Sequence, residues 1–512
     1  MTRVPVHPFL VALSVVLTSY AAIPGASHPS ELLRASGVAV AVAAALFLAF
    51  GAVYRDRHKA ALVVSLLLVV LVAVDSFYPL VENLAIAGWH PGRRRYVLSI
   101  TYALFVAFGI ALYARRQPLA GVTAFANLVS VVALYPVVML AYAHAPTVLA
   151  GAHAAAARLP ITATTTAKPD IYYVVLDRYA GEETLRKYGV QNDLTAYLGA
   201  RGFFVARESR ANYIKTVLSI ASSLNLDYLD DLARGRSDSS DFMPIYDHLA
   251  SHRVGAFLRS QGYRYEHLGS WYWPTRTNRQ ATRNVNYYDA IPRPVMRHLD
   301  SIMFAPVQHA LASPWVDSRR QNWVRVRRQV DDVLRIAGEP GPKFVFLHML
   351  VPHPPNVFDR DGSYLSLDEE SRRPWRENYG NQVLAADAML KRLVDGILRT
   401  SSLPPVILLQ GDEGPYPQGT ESDTYDWRQA SLEHLRERSA ILNAYYLPGV
   451  DPHALDSHLS PVNSFRVVFN TYFGTDLPRM PDRTFGHISD LRPYAFFDIT
   501  EKVAGDRIAR HR

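Results

Sequence analysis

The chain has 512 residues, long for one domain and suggestive of two or three. Hydrophobic residues make up 49% and charged ones 20%, which excludes disorder over most of the length, and the lack of cysteine excludes disulfides, thiolate zinc sites, iron–sulfur clusters and a cysteine nucleophile. The net charge of +8 is concentrated near the start: residues 1–144 carry 10 Lys/Arg against 4 Asp/Glu and the remainder 44 against 42, which suits a membrane anchor better than a nucleic-acid binder.

Five apolar stretches come first, at roughly 8–26, 35–54, 60–81, 96–113 and 119–144. Each approaches the ~20 residues needed to cross a ~30 Å hydrocarbon core. The first is followed at once by others, so it reads as an uncleaved helix rather than a secretory signal. With a cytoplasmic N-terminus, Arg3, Arg55, Arg57, Lys59, Arg115 and Arg116 lie inside, and Arg34 and Arg93 to Arg95 lie outside. That balance places the large C-terminal part outside. Asp75 is the one carboxylate within a stretch. Its place near the outer end, beside Ser76 and Tyr78, suits contact with headgroups better than an ion path, and a transporter reading is poor.

Residues 145–168 are rich in Ala, Thr and Pro and read as a linker, whose ends would average about 25–30 Å apart as a flexible coil. From Pro169 onward short apolar runs alternate with amphipathic stretches. Strands are expected at Ile171–Asp177, Phe203–Ala206, Tyr263–Leu268, Phe344–Leu350, Val406–Gln410 and Ile441–Leu447, and helices at 182–201, 216–225, 318–337, 377–400 and 463–473. This alternation predicts an α/β domain over 169–512, a mainly parallel sheet sandwiched by helices, with ligands beyond the carboxyl ends of the strands.

Two of these strands end in acids, one at Asp177 and the other at Asp412-Glu413-Gly414. Carboxylates gathered at one sheet edge repel one another, and a divalent cation would relieve that cost; helix capping or pairing with arginine is the alternative. Between them, Thr216 stands where a helix begins, either as an ordinary cap or as a hydroxyl beside free N–H groups able to attack phosphorus. A third strand runs from Phe344 into His348 and a Pro-His353-Pro-Pro turn; either histidine could bind metal, hold a phosphate oxygen or act as general acid, or simply pack. Arg210 and Lys215 flank Thr216 and could neutralise a phosphate or form surface salt bridges. Trp271-Tyr-Trp273 could line a lipid or sugar pocket or pack. No internal repeat, P-loop or dinucleotide fingerprint is present.

Taken together, Pro169–Asp177, Asn212–Asn225, His348–Pro355, Gln410–Pro415 and Ala440–Pro448 resemble the sulfatase-like branch of the alkaline phosphatase superfamily. Within it, the resemblance is to the membrane-anchored group that includes lipoteichoic acid synthases and phosphoethanolamine transferases. The resemblance implies an alkaline-phosphatase-like catalytic domain outside the inner membrane of a bacterium. One divalent metal ion would be held by Asp177, Thr216, Asp412 and Glu413, with Thr216 as nucleophile and His353 and His348 toward the transferred group. The substrate implied is a membrane lipid headgroup or an envelope glycan.

The family usually has Asp-His-Gly where this chain has Asp412-Glu413-Gly414. A carboxylate for an imidazole hardens the site and favours Mn, Mg or Ca over Zn. The same departure supports a second reading, an inactive domain that binds envelope lipid or a protein partner. A formylglycine sulfatase is excluded, because neither Ser371 nor Ser402 has the required Ser-x-Pro-x-Arg spacing.

Overall fold

A computed structural model of the chain describes residues 4–21, 29–82, 84, 90–143, 168–287 and 300–504. The expected linker lies outside these apart from residue 168. The described residues fall into two units.

The first unit is helical: α1 (His7–Ala21), α2 (Pro29–Tyr54), α3 (Arg57–Val81), α4 (Arg94–Ala114) and α5 (Ala120–Ala143) match the five apolar stretches. Three segments, Leu32–Tyr54, Arg57–Val81 and Arg94–Ala114, are long and apolar enough to cross a membrane by length and composition. Helix ends must find partners for backbone groups that the helix leaves unpaired. Asn127 Oδ1 accepts the Val6 and His7 N–H groups at 3.1 and 2.9 Å, and Lys59 Nζ donates to the carbonyls of Tyr113 and Arg115 at the end of α4. Residues 300–321, far along the sequence and including the first turn of a helix that continues into the second unit, belong to this unit. Met303 is buried against Leu71 and Leu98, and Ser301 Oγ donates to Asp75 Oδ1 at 3.0 Å. Asp75 thus meets a protein hydroxyl where the sequence suggested headgroups.

The second unit is the expected α/β fold. Its elements are β1 (Ile171–Leu176), β2 (Phe204–Val205), α6 (Thr216–Asn225), β3 (Arg264–Leu268), β4 (Arg283–Val285), α7 (Ser318–Ala337), β5 (Lys343–Met349), α8 (Trp375–Thr400), β6 (Val406–Gly411), α9 (Leu432–Ser439), β7 (Asn443–Tyr446), α10 (Pro461–Phe473) and a hairpin of β8 (Phe485–Ser489) and β9 (Arg492–Asp498). The large sheet has the order β2-β7-β6-β1-β5-β3-β4. β1 runs parallel to both β5 and β6, while β7 pairs antiparallel with β6 and β2. The central strands are buried on both faces, which is why they read as unbroken apolar runs.

Alternation along β1 divides the core. Tyr172, Val174 and Leu176 belong to a buried cluster with Val326, Val330 and Val333 of α7 and Leu390, Leu393 and Val394 of α8. Tyr173 faces the other way and meets Phe465 of α10 edge-on, ring centroids 5.2 Å apart. Asp177 continues the series of Tyr173 and lies toward the side covered by α10 and α6. Each fully buried large apolar side chain contributes about 1.5–3 kcal/mol.

The helix expected over 182–201 is two helices, Glu182–Lys187 and Leu194–Ala200. Gly189 takes a left-handed φ of 77° and stops the first. Its N–H bonds the Arg186 carbonyl and that of Val190 the Leu185 carbonyl, which satisfies two of the carbonyls that the helix end leaves free. The strands β4, β8 and β9 had no counterpart in the sequence reading; β4 is only three residues long and half-exposed.

Candidate metal centre and nucleophile

Three neighbouring strands, β6, β1 and β5, deliver the site. The register sets Leu176 level with Gly411 and Met349, so Asp177 and Asp412 emerge side by side. The ladder continues one step beyond the strands: Asp177 N–H donates to the Met349 carbonyl at 2.9 Å and Asp412 N–H to the Leu176 carbonyl at 3.3 Å. His348 is level with Val175, two residues before Asp177, and therefore shares its face. Its Nε2 lies 3.6 Å from Asp177 Oδ2 and 3.9 Å from Asp412 Oδ2. One ligand atom from each of Asp177, His348 and Asp412 falls within 4.8 Å of the others, and all three residues are buried.

These residues fit a cation. Asp177 Oδ1, Asp412 Oδ2, Glu413 Oε2 and His348 Nε2 are buried without a hydrogen-bond partner, an arrangement that costs free energy unless something positive binds there. Burial pushes the Asp177 carboxyl up to about 7, with Glu413 adding to the rise and Arg178 opposing it. Burial also raises Asp412, with repulsion from Asp177 and Glu413. Burial lowers His348 to about 3, so its imidazole is neutral and able to ligate.

Thr216 is the first residue of α6. The residue before it, Lys215, occupies the capping position without a side-chain cap bond. The Thr216 hydroxyl is therefore not spent on capping; it donates to Glu413 Oε1 at 3.1 Å. Glu413 also forms an ion pair with Arg438, a fully buried arginine that the sequence reading missed. The guanidinium groups of Arg438 and Arg178 stack on the Tyr416 ring, 3.7 and 4.2 Å from its centroid. Arg178 Nε is 3.9 Å from both Asp177 Oδ1 and Glu413 Oε1. Its backbone sits at a φ of 65°, an uncommon left-handed conformation for a side chain of this size, and aims its N–H at Asp412 Oδ1, 2.9 Å away.

Of the four expected ligands, Asp177 and Asp412 converge, joined by His348. Glu413 pairs with Arg438 through Oε1 and leaves Oε2 without a partner, while Thr216 donates to Glu413 and lies beside Asp412. The His353 ring lies 5.8 Å from that of Trp271, with Nδ1 bonded to the Pro354 carbonyl. Burial and the nearby Arg178 hold His353 well below the usual imidazole range. Lys215 is ion-paired with Asp490 of the β8–β9 turn, and Arg210 bonds Ser439, so both cations flanking Thr216 have protein partners. Tyr272 lies against His348, ring centroids 6.3 Å apart.

Gly414 closes the acidic segment because nothing larger fits. Its N–H donates to the Arg438 carbonyl at 2.8 Å, and a Cβ there would stand 1.9 Å from the Glu437 carbonyl oxygen. The Gly414→Ala substitution is expected to cost about 1–3 kcal/mol of stability, as overpacking against backbone does, and to displace Glu413 and Arg438 with it. Urea unfolding measures the first effect; an unchanged midpoint would contradict the fit described.

No family model matches the chain, and no curated protein matches it. Solved structures similar to it include the C-terminal periplasmic domain of EcEptC from Escherichia coli: 13% identity, 67% of this chain and 96% of that chain covered, TM-score 0.42. The same domain in complex with Zn matches at 12% identity over 68% and 98% of the two chains, TM-score 0.40. BT1596, a 2-O GAG sulfatase, matches at 13% identity over 61% and 72%, TM-score 0.36. At that level the likeness carries no function across to this chain.

Proposed function

We propose that the chain is a metal-dependent phosphoester hydrolase or phospho-group transferase, anchored in a bacterial inner membrane, whose α/β domain acts outside that membrane on a lipid headgroup or envelope glycan. The observation that carries this reading is the convergence of Asp177, His348 and Asp412 beside a threonine hydroxyl at a helix start, held by Glu413.

A divalent cation held by Asp177, His348 and Asp412 would supply positive charge that favours the ionised Thr216 hydroxyl and screens phosphoryl oxygens. Two carboxylates and one imidazole suit Zn and Mn, and the carboxylate oxygens also suit Mg and Ca. Glu413 accepts the hydroxyl's hydrogen bond and thereby turns an Oγ1 lone pair away from itself, toward an incoming phosphorus. As the Thr216 proton passes to Glu413, the Oγ1–P bond forms and the bond from phosphorus to the leaving oxygen breaks, and the free N–H groups of α6 meet the added negative charge. The Thr216 phosphoester then passes to water or an alcohol. His353 is neutral, with Nδ1 committed to Pro354, and so presents an Nε2 lone pair that can accept the proton of that second nucleophile. Three carboxylates (Asp177, Asp412 and Glu413) face two guanidinium groups (Arg178 and Arg438), so a divalent cation tips the site positive, as a phosphoryl ligand requires.

A diester such as bis(4-nitrophenyl) phosphate should be cleaved with Mn, Zn, Mg or Ca present and not with chelator; failure with every metal favours the inactive, lipid- or partner-binding reading. The cation response has a pH signature. The folded pKa of Asp177 is raised, so its proton stabilises the metal-free fold at low pH, and that contribution is lost as pH rises through about 7. Cation binding needs the ionised form. The gain in melting temperature from saturating Mn should therefore be larger at pH 8 than at pH 5.5. Equal gains at both would show that the cation binds elsewhere.

A further inference from the structure

We infer that Thr275, its backbone held by an ordered chain of hydrogen bonds running behind the site, is the positioning residue that presents His348 Nε2 as a metal ligand. This rests on the metal reading above.

The chain can be followed proton by proton. Gly255 N–H donates to His252 Nδ1 at 2.9 Å, so His252, buried and neutral, carries its proton on Nε2. That Nε2 lies 3.1 Å from Tyr265 Oη, which therefore accepts from it. Tyr265 then donates its own proton to His267 Nδ1, 3.2 Å away. His267 carries its proton on Nε2 and donates to the Thr275 carbonyl at 2.9 Å, an atom that can only accept. A backbone donor at one end and a backbone acceptor at the other leave a single arrangement for these three side chains. The Thr275 carbonyl also accepts from Ser270 N–H at 3.2 Å, so the Thr275 backbone is held from two sides.

Thr275 Oγ1 lies 2.8 Å from His348 Nδ1 and 2.9 Å from Ser270 Oγ. Both hydroxyls can donate or accept. Ser270 Oγ already accepts Tyr272 N–H at 3.1 Å and has the Tyr272 carbonyl at 3.5 Å to donate to. A complete order therefore exists in which His348 Nδ1–H donates to Thr275, Thr275 to Ser270, and Ser270 to the Tyr272 carbonyl. That order leaves a lone pair on His348 Nε2, the atom that faces Asp177 and Asp412. The opposite order would put a proton on Nε2 and leave nothing to ligate a cation. A ligating histidine commonly donates its other N–H to such a partner, and loss of the partner lowers metal affinity roughly 10–100-fold.

The test measures Zn and Mn affinity of the full-length protein in detergent by chelator competition. Thr275→Val, which keeps the shape and removes the hydroxyl, is expected to weaken both metals by roughly 10–100-fold, and Thr275→Ser to restore affinity to within about threefold of wild type. The melting temperature of the metal-free protein is the control for a merely structural effect. Wild-type affinity in Thr275→Val overturns the positioning role and leaves the metal reading standing. A wild-type protein that binds neither metal overturns both. Should Thr275→Val not fold, Ser270→Ala breaks the same order one bond further back. Several-fold weaker binding there supports the inference, and unchanged binding overturns it.

Discussion

Thr216→Ala is expected to lower phosphodiester turnover by at least about 10⁴-fold while the protein stays folded and keeps its metal. The hydroxyl is the only group at the start of α6 that the proposed chemistry consumes. It donates to Glu413 and takes no part in capping, so removing it opens no helix end: Lys215, not Thr216, holds the capping position. The methyl and hydroxyl lost from a residue that is 7% exposed should cost about 1–2 kcal/mol of stability. Thr216→Ser keeps the nucleophile and should retain measurable turnover. Mass spectrometry of the wild-type protein quenched during turnover should find on Thr216 a phosphoryl group that still bears the second ester of the diester substrate. Undiminished turnover in Thr216→Ala removes the nucleophile assignment.

Asp412→Asn should act in opposite directions on function and on stability. Its carboxylate lies between Arg178 N–H, Glu413 N–H and the His348 imidazole, and one of its oxygens has no partner. As an amide it offers the cation a neutral oxygen, and metal content should fall from about one per chain toward zero, with turnover lost alongside. Burial, together with Asp177 and Glu413, raises the Asp412 pKa, which means that its charge opposes folding when no cation is bound. Metal-free Asp412→Asn should therefore melt higher than metal-free wild type at pH 8, with the advantage shrinking as pH falls and the wild-type carboxyl takes up a proton. Metal analysis and thermal melts at two pH values check both halves. A variant that melts lower than wild type at pH 8 without metal would show that Asp412 is stabilised by its protein neighbours rather than waiting for a cation.

The parts legible in the sequence are those whose physics is local. A central strand buried on both faces has to be an apolar run, and β1, β5 and β6 were visible for that reason. Helices α6 and α7 begin and end where their patterns do. Asp177 and Asp412 stood out because a polar residue at the end of an apolar run marks a sheet edge. By contrast, Arg438 lies in the octet Leu432–Ser439, where its charged neighbours suggest a solvated helix; only the packing of Tyr416 and Glu413 against it makes it the buried counter-charge. Thr275 had no signal at all, since a threonine in a turn is ordinary until a histidine from another strand arrives 2.8 Å from it.

Composition and periodicity alone determined an apolar helical N-terminal part, an α/β domain behind it, and acids at the ends of two strands. The tertiary structure decided which side chains gather at the acidic edge of the sheet. That His348 joins Asp177 and Asp412 there turns on strand register, in which a slip of one residue reverses the face that each side chain takes, and the ion pair of Glu413 turns on where an arginine 25 residues beyond it comes to rest. Register and long-range packing are properties of chain pairing in space, and no window of sequence contains them.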